Sequence, residues 1–274
     1  MQNKTIAFIG AGNMSSSIIS GLVKNGYPNG LIYASNPSLP KLEALQTKLD
    51  INISQNNSEV ARKADVIVLS VKPQLMAQML AELALTPEEK SQKLFISIAA
   101  GLPVSRLNEM LGGEYALIRT MPNTPSLIGL GMAGMYAPEN ITAEDKTFAE
   151  QIMAAVGKTV WVDDESGIDH VIALAGSAPA YFFLFMEGMI NEAVNLGFSE
   201  AQAREIVEQV ALGSAQMVKQ NQSVDVAALR AQVTSKGGTT AAAIESFNQS
   251  DLTGIIQKAM QAAIARSQEM AKLF

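Results

Sequence analysis

A chain of 274 residues exceeds the roughly 100–200 residues of one typical domain, so two domains are expected, and its 48% hydrophobic content excludes a disordered chain. Charged residues make up 17%, below the usual share of about 25%, and the mean hydropathy is +0.15, so much apolar surface must be hidden in a core or a subunit interface. Twenty Lys and Arg stand against 26 Asp and Glu, a net charge of −6 without runs of like charge, which excludes the electrostatic footprint of a nucleic-acid binder.

In chain order, the first half alternates short β-branched runs with helical patterns, the order that builds a mostly parallel sheet with helices on both faces. Strands are expected at Thr5–Ile9, Leu31–Ser35, Asp65–Val71, Lys93–Ala99, Tyr115–Thr120, Met132–Tyr136 and Thr159–Val162, with a weak one near Ile51–Ile53. Between them, helices are expected at Met14–Asn25, Leu39–Lys48, Pro73–Leu83, Val104–Met110 and Ala143–Ala155, with a short one near Glu59–Lys63. Lys4 and the run TIAFIGAG are too short for the core of a signal peptide and read as a folded strand, so secretion is not expected.

Strand signals stop after Trp161. The remainder, Gly167–Phe274, is helical in period, with breaks at Leu196–Ser199, Gln220–Val224 and Val233–Thr240. The expected division is therefore an α/β domain over residues 1–162 and an all-α domain over 163–274, with no flexible linker. The most apolar stretch, Val171–Met186, is bounded by His170 and Glu187 and interrupted by Ser177 and Pro179; it falls short of the ~20 residues a bilayer span needs and reads as a buried helix. The absence of Cys removes disulfides, thiolate zinc sites and iron–sulfur clusters, and a single histidine, His170, removes nearly all histidine metal motifs, so no metal is expected. A cysteine-free chain also fits a reducing, cytoplasmic compartment.

Strand Thr5–Ile9 runs into Gly10-Ala11-Gly12-Asn13-Met14-Ser15 and then a helix, the strand, tight turn and helix N-terminus that hold a dinucleotide pyrophosphate. Gly10 allows the turn, Gly12 lets the backbone approach the phosphates, and small Ser15 permits close helix–strand packing. This is the Rossmann-like pattern. The second strand ends in Ser35-Asn36-Pro37-Ser38, where an NAD enzyme would place Asp or Glu on the ribose 2′-hydroxyl. Ser35, Asn36 and Ser38 instead suit a 2′-phosphate, with Lys41 nearby for charge, which favours NADP(H) over NAD(H). Further contacts belong at the C-terminal ends of parallel strands, where Ser70-Val71-Lys72-Pro73, Ile98-Ala99-Ala100-Gly101 and Arg119-Thr120-Met121-Pro122-Asn123-Thr124-Pro125 break the pattern and outline a cleft.

An alcohol dehydrogenase needs a group to take the hydroxyl proton, commonly His or Lys, yet no lysine lies between Lys158 and Lys219. His170 stands two turns before the small-residue segment and reads as a surface or interface residue. Reduction of a C=N bond asks for less, because an iminium collects its proton from water before hydride arrives. The segment Val233-Thr234-Ser235-Lys236-Gly237-Gly238-Thr239-Thr240 precedes a helix at Ala241–Phe247, and its glycines let successive N–H groups converge on a carboxylate.

These residues resemble the pyrroline-5-carboxylate reductase family. The resemblance rests on FIGAGNM at Phe8–Met14, VKP at Val71–Pro73, RTMPNTP at Arg119–Pro125, GSAPAY at Gly176–Tyr181 and TSKGGTTAAAI at Thr234–Ile244, in the family's order and along the whole chain. It implies a nucleotide-binding domain followed by a helical dimerisation domain, a homodimer often built into larger rings, and a cyclic imino acid substrate bound at the dimer interface. NAD(P)H would deliver hydride to the ring carbon of 1-pyrroline-5-carboxylate, giving L-proline. Carried over by position, Thr240 would meet the ring nitrogen, backbone donors at Gly238 and Thr239 would hold the carboxylate, and Ser177 would shape the pocket. Glu165 would approach the substrate, and Asn57 and Gln232 the cofactor. Lys236, Ala178 and Gln232 depart from the family's usual Pro, Gly and Asn, and Lys236 is expected to point to solvent. The alternatives are a hydroxyacid or prephenate-type dehydrogenase of the same architecture, and an NADP-binding protein without turnover.

Overall fold

The structure is a computed structural model and describes residues 3–273. Its first part is an eight-stranded sheet in the order β3-β2-β1-β4-β5-β6-β7-β8. The strands are β1 Ile6–Ile9, β2 Ile32–Ser35, β3 Asn52–Ser54, β4 Val66–Leu69, β5 Leu94–Ser97, β6 Leu117–Met121, β7 Gly131–Tyr136 and β8 Gly157–Trp161. The first six are parallel; β7 is antiparallel to β6, and β8 parallel to β7. Ile6 on β1 pairs with Ile32 on one side and Val66 on the other, so the strand order reverses at β1. In an open sheet that reversal opens a crevice at the carboxyl ends of the strands.

The apolar runs IAFI, VIVL and LFIS are buried along their whole length because helices cover both faces. Alternation divides them: Ile6, Phe8, Val66 and Val68 join one core with Ile18, Ile19 and Leu22, while Ala7, Ile9, Ile67 and Leu69 join a second with Met76 and Leu107. The covering helices are α1 Asn13–Lys24, α2 Leu39–Leu49, α3 Asn57–Lys63, α4 Pro73–Ala81, α5 Pro87–Ser91, α6 Val104–Leu111 and α7 Ala143–Ala154. Helix α3 starts two residues before the expected Glu59, because the Asn56 side chain accepts from the Glu59 amide as an N-cap. Helix α5 was not expected; a reciprocal capping box between Thr86 and Glu89 starts it.

After β8 come α8 Gly167–Val171, a π-helical turn Ile172–Gly176, and helices α9 Ala178–Asn195, α10 Glu200–Gln220, α11 Val226–Gln232, α12 Thr239–Gln249 and α13 Leu252–Met270. Compactness divides the chain at Ser177, later than the end of the strands, with residues from Ala263 onward returning to the first unit. The reason is that α8 packs on the sheet: Ile168 and Val171 are buried, and a Cβ on Gly134 of β7 would lie 2.6 Å from Val171 Cγ1.

Within the second unit, Ala178–Ala262, α9 and α10 pack on each other, and a Ser199–Gln202 capping box starts α10. The expectation of a buried helix over Val171–Met186 is corrected here. No residue of α9 is buried in the chain; Phe182 is 70% exposed, and Phe183, Leu184, Phe185 and Met189 are exposed beside it. The helical run Gly167–Asn195 spans 29 residues and is long and apolar enough to cross a membrane by length and composition.

Candidate active site

Gly10 follows β1 with φ +105°, a conformation only glycine adopts readily, and a Cβ there would stand 2.7 Å from the Ser70 carbonyl oxygen. The turn is tied to both neighbouring strands, with Gly10 N–H donating to Ser35 O and Ser70 N–H to Ile9 O, each at 2.9 Å. Helix α1 then opens on Gly12 without any side-chain cap, and nothing would meet a Cβ at Gly12 within 4 Å. The amides of Gly12, Asn13, Met14 and Ser15 have no protein acceptor among the described residues. An uncapped helix N-terminus facing open space fits a pyrophosphate. Ser15 is buried at the third position, and its hydroxyl donates to Gly10 O at 2.6 Å, which locks the turn to the helix.

On the adjoining side, Asn36 accepts the Ala11 amide at 3.3 Å, so the Ala11 N–H is committed within the protein. Ser35 is fully buried and its hydroxyl donates to Asn57 Oδ1 at 2.8 Å. This corrects the reading of Ser35 as a direct donor to a 2′-phosphate. Its hydroxyl instead orients Asn57, which opens α3. Asn36 and Ser38 are half-buried, and Lys41 is exposed.

Three further segments end strands of the same sheet. Val71, Lys72 and Pro73 lead from β4 into α4 with no side-chain cap, and Lys72 is exposed. Ala99 and Ala100 follow β5, whereas Gly101 is buried, with φ +74° and a virtual Cβ 3.2 Å from Met270 Cβ. Gly101 thus allows close packing on Met270 of α13. Met121 closes β6 and Pro122 follows it. Asn123 is 8% exposed: its side-chain amide donates to Ala175 O in the π turn at 3.0 Å and its Oδ1 accepts the Met132 amide at 2.9 Å. These two bonds tie the turn after β6 to the π turn and to β7.

Sequence reasoning missed the charge buried behind these segments. Arg119 on β6 is 4% exposed; its Nη1 donates to Glu165 Oε1 at 3.1 Å, and Nη2 lies 3.9 Å from Asp169 Oδ1. Glu165 Oε1 also accepts the Val104 amide at the start of α6, and Asp169 accepts the Ser267 hydroxyl at 2.7 Å. Tyr136 pairs with Arg119 across the sheet; its phenol is pushed above the ordinary value, chiefly by burial and then by the negative charges of Glu165, Asp164 and Glu139. The chain then turns through the π helix, where the Ser177 amide donates to Ile172 O, to half-buried Ser177.

In the second unit, α12 repeats the design of α1. It begins two residues before the expected Ala241, with Gly238 as N-cap and no side-chain cap, whereas α3, α7, α10 and α11 carry Asn, Thr, Ser and Asp caps. Gly237 at φ +75° makes the turn, and the Gly238 amide donates to Ser235 O at 3.0 Å. Gly238 is thus not a free donor; the open amides are those of Thr239, Thr240 and Ala241, and the hydroxyls of Thr239 and Thr240 have no protein partner among the described residues. Lys236 is exposed, as expected, and Gln232 closes α11, also exposed.

Two family models match the chain: pyrroline-5-carboxylate reductase dimerisation over residues 165–270, and NADP oxidoreductase, coenzyme F420-dependent, over residues 5–101. A pyrroline-5-carboxylate reductase of Vibrio alginolyticus is 53% identical over the full length of both chains. The chain belongs to the pyrroline-5-carboxylate reductase family. Among solved structures, the pyrroline-5-carboxylate reductase of Coxiella burnetii is 38% identical, with TM-score 0.92, covering 98% of this chain and 99% of its own. The Plasmodium falciparum enzyme, solved with NADP bound, is 30% identical, with TM-score 0.86, over 99% of each chain.

Proposed function

We propose that the protein reduces 1-pyrroline-5-carboxylate to L-proline with NADPH, and that the open amides of α12 hold the substrate carboxylate. The observation that carries this reading is the uncapped N-terminus of α12, where the Thr239, Thr240 and Ala241 amides and the Thr240 hydroxyl are all left without protein partners. Thr240 then orients the ring nitrogen, Ser177 shapes the pocket, and Glu165 approaches the substrate. NADPH, when bound, supplies the hydride that the imine carbon accepts. The residues of this chain orient the ring and exclude water; the ring nitrogen takes its proton from water beforehand, so no side chain has to relay one.

For the cofactor, the open amides of α1 take the pyrophosphate, Val71–Pro73, Ala99, Ala100, Met121 and Pro122 line the nicotinamide side, and Asn36, Asn57 and Ser38 recognise the adenosine side. Ser35 acts through Asn57. Gln232 stands as a further cofactor contact carried over from the family. Asn57→Ala is expected to raise the KM for NADPH about fivefold or more, and Ser35→Ala to do so less, at the scale of one hydrogen bond. Unchanged NADPH saturation in both would remove Asn57 from the site.

The apolar face of α9 is covered by a second copy of the chain in a homodimer, and dimers assemble further; a lipid contact is the alternative occupant. Glu187 and Glu192 within α9 are poorly suited to lipid, and the dimerisation model covers this segment. This fits a soluble, cytoplasmic enzyme. Gel filtration at micromolar concentration without detergent is expected to give a dimer or larger; a monomer would contradict it. The activity is tested by loss of NADPH absorbance with 1-pyrroline-5-carboxylate, with 3-hydroxyacids plus NADP as control. Turnover of the hydroxyacids alone would favour the dehydrogenase reading, and no turnover of either the non-catalytic one.

A further inference from the structure

We infer that Arg119 is a positioning residue for the reaction, holding the Glu165 carboxylate so that its second oxygen, Oε2, faces the substrate. The inference rests on the reading of Glu165 as a substrate contact. Glu165 Oε1 is engaged twice, by the Val104 amide at 2.8 Å and by Arg119 Nη1 at 3.1 Å, whereas Oε2 has no partner among the described residues. The side chain is 26% exposed. One oxygen is thus anchored from two directions and the other is left free, the arrangement expected of a carboxylate that is to be aimed rather than consumed by the fold.

Arg119 is poorly explained by stability. It is buried in a strand, and its Nε has no hydrogen-bond partner among the described residues. An orphaned buried donor is costly, and a buried ion pair adds little stability over an apolar side chain of similar volume. A planar guanidinium does offer what an apolar residue lacks: a rigid fork that reaches Glu165 with one nitrogen and Asp169 with the other. Asp169 is held in turn by Ser267, so the fork is braced on the side away from Glu165.

The test compares Glu165→Gln, Arg119→Lys and the double variant in the full-length protein, measuring kcat and KM for the imine, NADPH affinity and Tm. Glu165→Gln is expected to lower imine kcat/KM about 10- to 100-fold, the scale of a hydrogen bond to a charged group. Arg119→Lys, which keeps the charge and loses the fork, is expected to lower it comparably with NADPH affinity unchanged, and to add nothing in the Glu165→Gln background. Effects that multiply, or a parallel loss of NADPH affinity, would overturn the inference and make Arg119 structural. Wild-type kinetics in Glu165→Gln would instead overturn the reading of Glu165 itself. Should Arg119→Lys not fold, Asp169→Asn decides: it removes the other carboxylate while leaving the Arg119–Glu165 bond. A fall in imine kcat/KM smaller than that of Glu165→Gln, and absent in the Glu165→Gln background, would support the inference; wild-type imine kinetics, or a loss that persists in that background, would overturn it.

Discussion

Gly10→Ala is expected to lower Tm by about 5–15 °C and to weaken NADPH at least about 10-fold. Two costs add. The backbone at Gly10 sits at φ +105°, a region that costs an L-residue roughly 1–3 kcal/mol. The new methyl would also stand 2.7 Å from the Ser70 carbonyl oxygen and 2.9 Å from its carbon, and overpacking against backbone costs a further ~1–3 kcal/mol. Neither β1 nor the segment after β4 has room to yield, since both strands are buried on both faces and paired in register from Ile6↔Val66 to Ile9↔Leu69. At ~2–4 °C per kcal/mol for a domain of this size, the combined strain gives the stated fall in Tm. Displacing the Ser70–Val71 backbone by even part of an ångström also misplaces the open amides of α1, and a shift of that order costs binding and rate out of proportion to its size. Differential scanning fluorimetry with and without NADPH reads both effects; an unchanged Tm with unchanged NADPH stabilisation would show that the turn is not under the constraint described.

Thr240→Val is expected to lower kcat/KM for 1-pyrroline-5-carboxylate by about 5- to 150-fold while leaving Tm and NADPH affinity in place, the span of ~1–3 kcal/mol for one buried hydrogen bond. Valine keeps the shape and β-branching of threonine, and the Thr240 hydroxyl makes no hydrogen bond among the described residues, so α12 loses nothing of its own. By contrast, the hydroxyl of Thr234 donates to Arg230 O, and Thr234→Val should show in Tm rather than in the imine kinetics. The amides of Thr239, Thr240 and Ala241 survive the substitution, so part of the carboxylate binding should remain and the loss should fall more on kcat than on KM. Steady-state kinetics at wild-type level would remove Thr240 from the site.

The parts of this molecule legible in its sequence are those where the determining residues are neighbours along the chain. A continuous apolar strand, two glycines and a helix at Thr5–Asn25 leave few alternatives, and the observed order of β3 to β6 around β1 is the one such a beginning leads to. The break before α12 was visible for the same reason, although Gly238 looked like a donor and proved to be turned into its own loop by Ser235. What could not be read depends on residues brought together from a distance. Arg119 and Glu165 are separated by 46 positions, and Asp169 and Ser267 by 98, so no periodicity links them. The sole local sign was a lone charge in the apolar strand Leu117–Met121. Ser35 and Asn123 have the composition of ligand-facing turns, and only the fold shows that they are buried and bonded to Asn57, Ala175 and Met132. Helix α9 is apolar enough to suggest a core, but within one chain there is no core for it to enter. The capping box that starts α5 is a local signal, present at Thr86–Glu89 and readable in advance.

Hydride transfer to a C=N carbon is tested most directly by following isotope rather than absorbance. The wild-type protein is incubated with 1-pyrroline-5-carboxylate and NADPH carrying deuterium at the transferable position, and the product is read by mass spectrometry. The expected result is L-proline bearing one deuterium, on the ring carbon that had been doubly bonded to nitrogen, formed in equal amount to the NADP produced. Proline without the label, or an imine left unreduced while the protein binds NADPH, would contradict it.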